Sequence, residues 1–568
     1  MRKSLTEKHM KTRRIFLKTL IWLKRHLLPI AFVLIGLGLS LEIASQGPYF
    51  FLRRLPKLLL AAIEIIPLIL SAYFLGGSLG VLCLYLIFSF LILETILAFA
   101  TGNLSNDFLQ AFATSGGAHH FKLQIFLWLV TGILLVFFLR KKLLPHRKIS
   151  GFLALFTAGA LLFNLFLGWN STRCPVKLQT SPSLAFGFKS GEDSVLPLKT
   201  PQVLSMIGYE FRQVFPGPLG DLFSILAFAQ DPGADQIAKE KHPLPAELKP
   251  DSEHEIKNIV LIIGESSTAK HYSAYGYDVP TTPFLKHEIE EEHACAVSKA
   301  HSVANLTKDA VLPSVSLWKP TEIDAPITKL NLVELANRQG YQTYWASVQS
   351  ERGSYSGFIG YVAKYADYFI DPETRSLKFH DKTLHIKEQD EAVLPLFKEF
   401  AKDDGEKKLI ILHLWGSHVP YGEKIRKEDK KALPKASPYD QSLHRTDRIL
   451  KQITEIAQDK LDDPLIFYVS DHGEDTDKKG HGLQYGGKDY FIPVILLGKK
   501  AEKGCKYLEH LRSEDGYYSS NMNKFLMMRL LGMKADDDWI DREKNPDLVL
   551  HMDHKKYPWG QIPGQKLD

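Results

Sequence analysis

The hydrophobic pattern changes character once along the chain. Apolar positions first come in five long runs: Leu27 to Ala44, Leu58 to Leu75, Leu79 to Ala100, Phe121 to Leu139 and Phe152 to Trp169. Each approaches the ~20 residues a helix needs to cross a bilayer, so the pattern predicts five membrane spans. Glu64 and Glu94 interrupt two of them. Because charge is costly in apolar surroundings, both are expected to face the bundle interior. Basic residues mass before the first run, from Arg2 to Arg25, and between the fourth and fifth, at Arg140, Lys141, Lys142, Arg147 and Lys148. The cytoplasmic bias of Lys and Arg puts both segments, and the N-terminus, in the cytoplasm and the C-terminal half outside it.

From Asn258 onward the period shortens. NIVLIIGE, YQTYWAS, KLIILHLWGSH, PLIFYVSDHGED and YFIPVILLGK are short apolar runs without polar alternation, as strands buried on both faces should be. Helical stretches such as NLVELANRQG and QSLHRTDRILKQITEIAQ lie between them. This alternation predicts an α/β domain whose parallel or mixed sheet is flanked by helices. Between the two halves, residues rich in Pro, Gly and Ser hold one amphipathic candidate helix near Leu219 to Ala229. The expected organisation is therefore a transmembrane domain over 1–170, an interfacial bridge over 171–250 and a catalytic domain over 251–568.

Composition changes this picture little. The net charge of +6 is small for 568 residues, and the basic residues of the second half are not massed on one element, so nucleic acid is not the expected partner. The four cysteines form no zinc-binding spacing; Cys174, Cys295 and Cys505 leave room for one disulfide, and Cys83 lies in an apolar run.

Chemistry gathers at the strand ends. Glu265 ends the first run, His413 and His418 a later one, and Asp471 and His472 the next, with His481 shortly after. Ligands of open α/β sheets bind at the carboxyl ends of strands, so these groups should converge on one crevice. Carboxylates with an imidazole suit zinc, and manganese nearly as well. A metal also lowers the pKa of a hydroxyl beside it, which makes Ser266, Ser267, Thr268 and Thr307 candidate nucleophiles.

IVLIIGESSTAKHYSAYGYDVPTTPFL, NLTKDAVLP, LHLWGSHVPY, SPYDQSLHRTD and YVSDHGEDTDKKGHG occur in this order. With them the chain resembles the bacterial phosphoethanolamine transferases, a branch of the alkaline phosphatase and sulfatase superfamily that includes lipid A modifiers and colistin-resistance enzymes. The resemblance implies that Glu265, Thr307, Asp471 and His472 bind zinc and that Thr307 also carries the transferred group. It implies that His418 and His481 hold the substrate phosphate or a second metal, with His413 behind them. Arg352 resembles the basic residue of the family's Lys-Gly segment. Gln110 and Thr114 resemble the Asn and Thr of its external loop. Where the family often has Cys-Gly-Thr-Ser-Thr, this chain has SVANLT, as in the branch poor in disulfides that acts on core sugars or other acceptors. The implied reaction moves phosphoethanolamine from phosphatidylethanolamine to a lipopolysaccharide acceptor, in a monomer anchored in the bacterial inner membrane with its catalytic domain in the periplasm. The alternatives are a glycerol-phosphate transferase of the lipoteichoic acid synthase type, and a non-catalytic membrane protein with a degenerate enzyme domain. The Cys-x-Pro-x-Arg motif of sulfatases does not occur.

Overall fold

A computed structural model describes residues 27–40, 54–101, 122–141, 143, 145–172, 218–229, 234–319, 326–477, 480–482, 486–552 and 555–565. These fall into two compact units, one built from residues up to 172 with 218–229, the other from 234 onward.

The first unit is helical. Residues 27–40 form a helix. After them come α1 (Arg54–Leu75), α2 (Gly77–Thr101), α3 (Lys122–Leu139), α4 (Arg147–Thr172) and α5 (Pro218–Ala229). Ile65, Ile69, Tyr73, Val81, Leu84 and Leu91 form its core. α1 and α4 are stitched by reciprocal bonds, the Ser71 hydroxyl donating to the Ser150 carbonyl at 3.0 Å and the Ser150 hydroxyl to the Ser71 carbonyl at 2.9 Å. Glu64 is fully buried, as expected of a carboxylate facing the interior of a bundle.

The expected membrane spans require correction. Among the described residues no helix is long and apolar enough to cross a membrane. The physical reasons differ from helix to helix. The described part of the first run, residues 27–40, reaches only about 21 Å at ~1.5 Å per residue, against a hydrocarbon core of ~30 Å. The 18 residues of α3 reach about 27 Å. α1 opens on Arg54 and Lys57 and contains Glu64 and Pro67, α2 contains Glu94, and α4 opens on Arg147 and Lys148. Run length in the sequence overstated the apolar helix. The five-span fold, and with it the multi-pass inner-membrane placement with a cytoplasmic N-terminus and periplasmic catalytic domain, is withdrawn.

The second unit matches the predicted α/β pattern. Its main sheet comprises β1 (Asn258–Gly264), β2 (Ala294–Ala296), β3 (Gln342–Ser347), β4 (Tyr368–Ile370), β5 (Lys408–His413), β6 (Leu465–Ser470) and β7 (Val494–Leu497). Their order is β2-β7-β6-β1-β5-β3-β4. From β6 to β4 all neighbours are parallel, whereas β7 runs antiparallel to both β6 and β2. β1 shows why its sequence lacks alternation. Ile259, Leu261 and Ile263 enter the core on one face, Val260 and Ile262 the core on the other. Successive side chains point to opposite faces, so a central strand covered on both must be apolar throughout.

The helices α6 (Thr307–Ala310), α7 (Leu312–Val315), α8 (Leu332–Arg338), α9 (Gly353–Ala363), α10 (Val393–Lys402), α11 (Pro438–Lys460) and α12 (Asn523–Leu530) supply the covering layers. Phe397 and Phe400 of α10 and Leu443, Leu450 and Ile453 of α11 pack on one face. Val333, Ile359, Phe525 and Leu526 pack on the other. Cys295 on β2 is disulfide-bonded to Cys505, and Cys83 is free.

Candidate active site

The register of the central strands builds the site. Gly264 is paired with Ser470, and Ile263 with His413. The residues that follow, Glu265 and Asp471, therefore leave adjacent strands at one level, and the Asp471 amide still donates to the Gly264 carbonyl at 3.0 Å. Ser266 turns the chain sharply with a φ of 54°, in the left-handed region. Its strain is offset by two bonds: its amide donates to Asp471 Oδ1 at 3.1 Å, and its carbonyl accepts from the Tyr439 hydroxyl at 2.8 Å.

Thr307 arrives from a different direction, as the first residue of α6. The segment before it is pinned by the Val303 amide to Ser520 Oγ at 2.9 Å and by Asn305 Nδ2 to Asp489 Oδ2 at 2.9 Å. Thr307 is only 6% exposed. Its hydroxyl donates to Glu265 Oε2 at 3.2 Å and lies 3.4 Å from His472 Nε2.

The donors around this hydroxyl are arranged for a cation. His472 Nδ1–H donates to the Gly473 carbonyl at 2.9 Å, which turns Nε2 inward. There it faces Glu265 Oε1 at 3.2 Å and Asp471 Oδ2 at 3.3 Å. Asp471 Oδ1 accepts from two amides, but Oδ2 is buried and accepts no hydrogen bond. A buried carboxylate oxygen left so costs free energy unless a positive charge faces it. The ligand atoms of Glu265, His472 and His481 all lie within 4.8 Å of one another. This set of carboxylates and imidazoles fits a divalent metal.

The titration behaviour agrees. Burial pushes the Asp471 carboxyl up, and the Glu265 charge pushes it further, to about 7. Burial opposes charge on His472, but Asp471 and Glu265 together raise it to about 10. Glu265 is pushed up by burial yet ends well below the usual carboxylate range, chiefly because of His472. A proton on His472 thus neutralises the carboxylates where a cation would otherwise do so.

The expected residues fall into groups. Glu265, Thr307, Asp471, His472 and His481 come together. His418 joins them, its ring 5.2 Å from that of His481, which is 4.2 Å from that of His472. Burial lowers His418 to about 4, and burial with the His472 charge lowers His481 to about 3, so both are neutral near pH 7. His413 lies one step back, 3.2 Å from Gln349 Nε2. Arg352 pairs with Asp371 at 3.4 Å. Gln110 and Thr114 lie outside the described residues.

Three residues were missed. Glu474, in the quoted SDHGE, accepts from His481 Nδ1 at 2.9 Å and from the Tyr421 hydroxyl. Burial raises its carboxyl to about 7. Gln349 donates to Glu265 Oε2 at 3.0 Å, and Glu351 binds His413 at 2.6 Å. Both follow β3, a strand exit from which the sequence singles out only Arg352.

One glycine is required by packing. Gly416 has a φ of +47°, and a Cβ there would lie 2.6 Å from the carbonyl oxygen and 2.9 Å from the nitrogen of Glu265. Neither backbone atom can yield without moving the carboxylate. Gly416→Ala is expected to cost about 1–3 kcal/mol in urea unfolding and to weaken metal binding. An unchanged unfolding midpoint would refute this close-packing argument.

Residues 257–527 match the sulfatase family model. Among curated proteins, the chain is 26% identical over 291 residues to phosphoethanolamine transferase EptC of Escherichia coli O18:K1:H7, covering 46% of this chain and 48% of that protein. It is 28% identical over 270 residues to phosphoethanolamine transferase OpgE of Escherichia coli K12, covering 45% and 48%. The chain thus spans about half the length of the curated relatives it matches. Among solved structures, the C-terminal periplasmic domain of Escherichia coli EptC aligns with a TM-score of 0.46 at 20% identity, covering 57% of this chain and 98% of that one. The sheet, its strand-end cluster and the family match define a metal-dependent enzyme domain of the alkaline phosphatase and sulfatase superfamily. Within that superfamily, the chain is similar to the bacterial phosphoethanolamine transferases.

Proposed function

We propose that this chain transfers phosphoethanolamine from phosphatidylethanolamine to a lipopolysaccharide acceptor, a lipid A phosphate or a core sugar, through a covalent intermediate on Thr307. One observation carries the reading: the buried Thr307 hydroxyl sits between Glu265 and His472, beside an Asp471 oxygen that accepts no hydrogen bond. The names of the relatives supply the transferred group.

Glu265, Asp471, His472 and the Thr307 hydroxyl would hold the metal, which the resemblance makes zinc in preference to manganese. A divalent cation held there lowers the pKa of an adjacent hydroxyl and offsets charge on the phosphoryl oxygens. In the first step Thr307 Oγ1 bonds to the donor phosphorus as the bond to diacylglycerol oxygen breaks. The Thr307 proton ends on that oxygen. In the second step an acceptor oxygen bonds to the same phosphorus as the bond from phosphorus to Thr307 Oγ1 breaks; the acceptor's proton is released and Thr307 Oγ1 is reprotonated. His418 and His481, whose rings stand beside that of His472, are assigned to holding the substrate phosphate. Arg352 is assigned to the lipid phosphate, and Gln110 and Thr114 to the lipid-linked substrates.

Mass spectrometry of the protein incubated in parallel with phosphatidylethanolamine and with phosphatidylglycerol, each alone, tests the reading. The expected product is one phosphoethanolamine on the peptide containing Thr307. A glycerol-phosphate adduct, formed only with phosphatidylglycerol, would replace the donor assignment. An adduct on Ser266, Ser267 or Thr268 would replace the nucleophile.

A further inference from the structure

Behind the metal-facing carboxylate lies a buried polar chain that no step above uses. Glu351 and His413 are both 1% exposed or less. His413 Nδ1–H donates to Glu351 Oε1 at 2.6 Å. His413 Nε2 is 3.2 Å from Gln349 Nε2. That amide nitrogen also lies 2.8 Å from the Leu414 carbonyl and 3.0 Å from Glu265 Oε2.

These distances restrict the protons. The Leu414 carbonyl and the Glu265 carboxylate can only accept, so they take both hydrogens of the Gln349 amide. Its nitrogen, not its oxygen, must face Glu265. A proton on His413 Nε2 would then oppose those hydrogens, so His413 must carry its proton on Nδ1. Glu351 is the acceptor that holds it there. Were Glu351 unable to accept, His413 could protonate at Nε2, the amide would rotate, and its oxygen would meet Glu265 Oε2. Two acceptors in contact would push the carboxylate aside. Partners of this kind, acting on a ligand through one intervening group, commonly affect metal affinity by about 10–100-fold.

We infer that Glu351, His413 and Gln349 form a positioning relay that sets the orientation of the Glu265 carboxylate, engaging Oε2 so that Oε1 is directed at His472 and the metal. The inference rests on the metal reading above. None of the three residues touches substrate. They are positioning residues, acting through Glu265.

The test is competition for zinc between the zinc-loaded full chain and a chromophoric chelator. Glu351→Leu and Gln349→Leu should each weaken zinc about tenfold or more. At saturating zinc, each should recover most of its kcat, with KM for phosphatidylethanolamine unchanged. Glu351→Asp, which keeps a carboxylate acceptor, should recover affinity in part. Glu265→Gln, run beside them, should weaken zinc further than any of these. If Glu265→Gln abolishes binding but Glu351→Leu and Gln349→Leu bind zinc as the parent does, the relay is wrong and the metal reading stands. If Glu265→Gln leaves zinc affinity unchanged, the metal reading fails and the relay with it. Should Glu351→Leu fail to fold, Gln349→Leu alone decides, because it removes the final donor while Glu351 keeps its His413 partner.

Discussion

Thr307→Ala is expected to lower the transfer rate by at least about a thousandfold, a loss of about 4 kcal/mol of transition-state stabilisation. The size follows from the role. A residue that forms the covalent bond cannot be replaced by a neighbour unless another hydroxyl reaches the same point. The nearest rival, Ser266 Oγ, donates to Glu265 Oε1 at 2.7 Å and is fixed on a strained turn. Stability should change little, because the Thr307 hydroxyl makes only two long polar contacts, to Glu265 and His472. A folded Thr307→Ala protein that keeps a tenth of parental activity would refute the assignment. Thr307→Ser preserves the hydroxyl and should retain measurable transfer.

The second large effect concerns Asp471 and reverses sign with the metal. The Asp471 carboxyl rises to about 7 in the folded chain from an ordinary 3.8, first through burial and then through the Glu265 charge. The folded form therefore holds this proton more tightly than the unfolded chain does. For this group, stability of the metal-free protein is greatest below about pH 4 and falls as pH rises from 4 to 7. Above pH 7 the buried charge remains, and Asp471→Asn removes it. The metal-free variant should then be more stable than the metal-free parent by about 2–4 kcal/mol. Zinc at a thousandfold excess over its dissociation constant should add about 4 kcal/mol to the parent and far less to the variant. Transfer activity should be lost in the variant, as it should be in the parent after exhaustive chelation. Thermal unfolding with zinc and with chelator, at pH 5 and pH 8, separates these outcomes. A variant that responds to zinc as the parent does would remove Asp471 from the metal site.

The legibility of this chain was uneven for physical reasons. Strands such as 258–264 and 465–470 declared themselves because a strand covered on both faces must be apolar throughout. Glu265, Asp471 and His472 were legible for the same reason, being the first polar residues after those runs. Glu351 and Gln349 were not, because their partners lie 62 and 84 residues away and nothing local marks the pairing. Arg352 was chosen by motif, yet its bond is to Asp371. The apolar runs of the first unit were read by length alone. The helices built from them open on charged residues, enclose carboxylates or are too short.

The pairing of Gly264 with Ser470 has a bearing on how this site tolerates change. Parallel neighbours in a sheet lie about 4.8 Å apart, a spacing fixed by the hydrogen-bond ladder and nearly independent of side chains. The distance between the two carboxylate-bearing positions is thus borrowed from a repeat unit of the backbone. The loops that follow can be lengthened, shortened or exchanged without altering it.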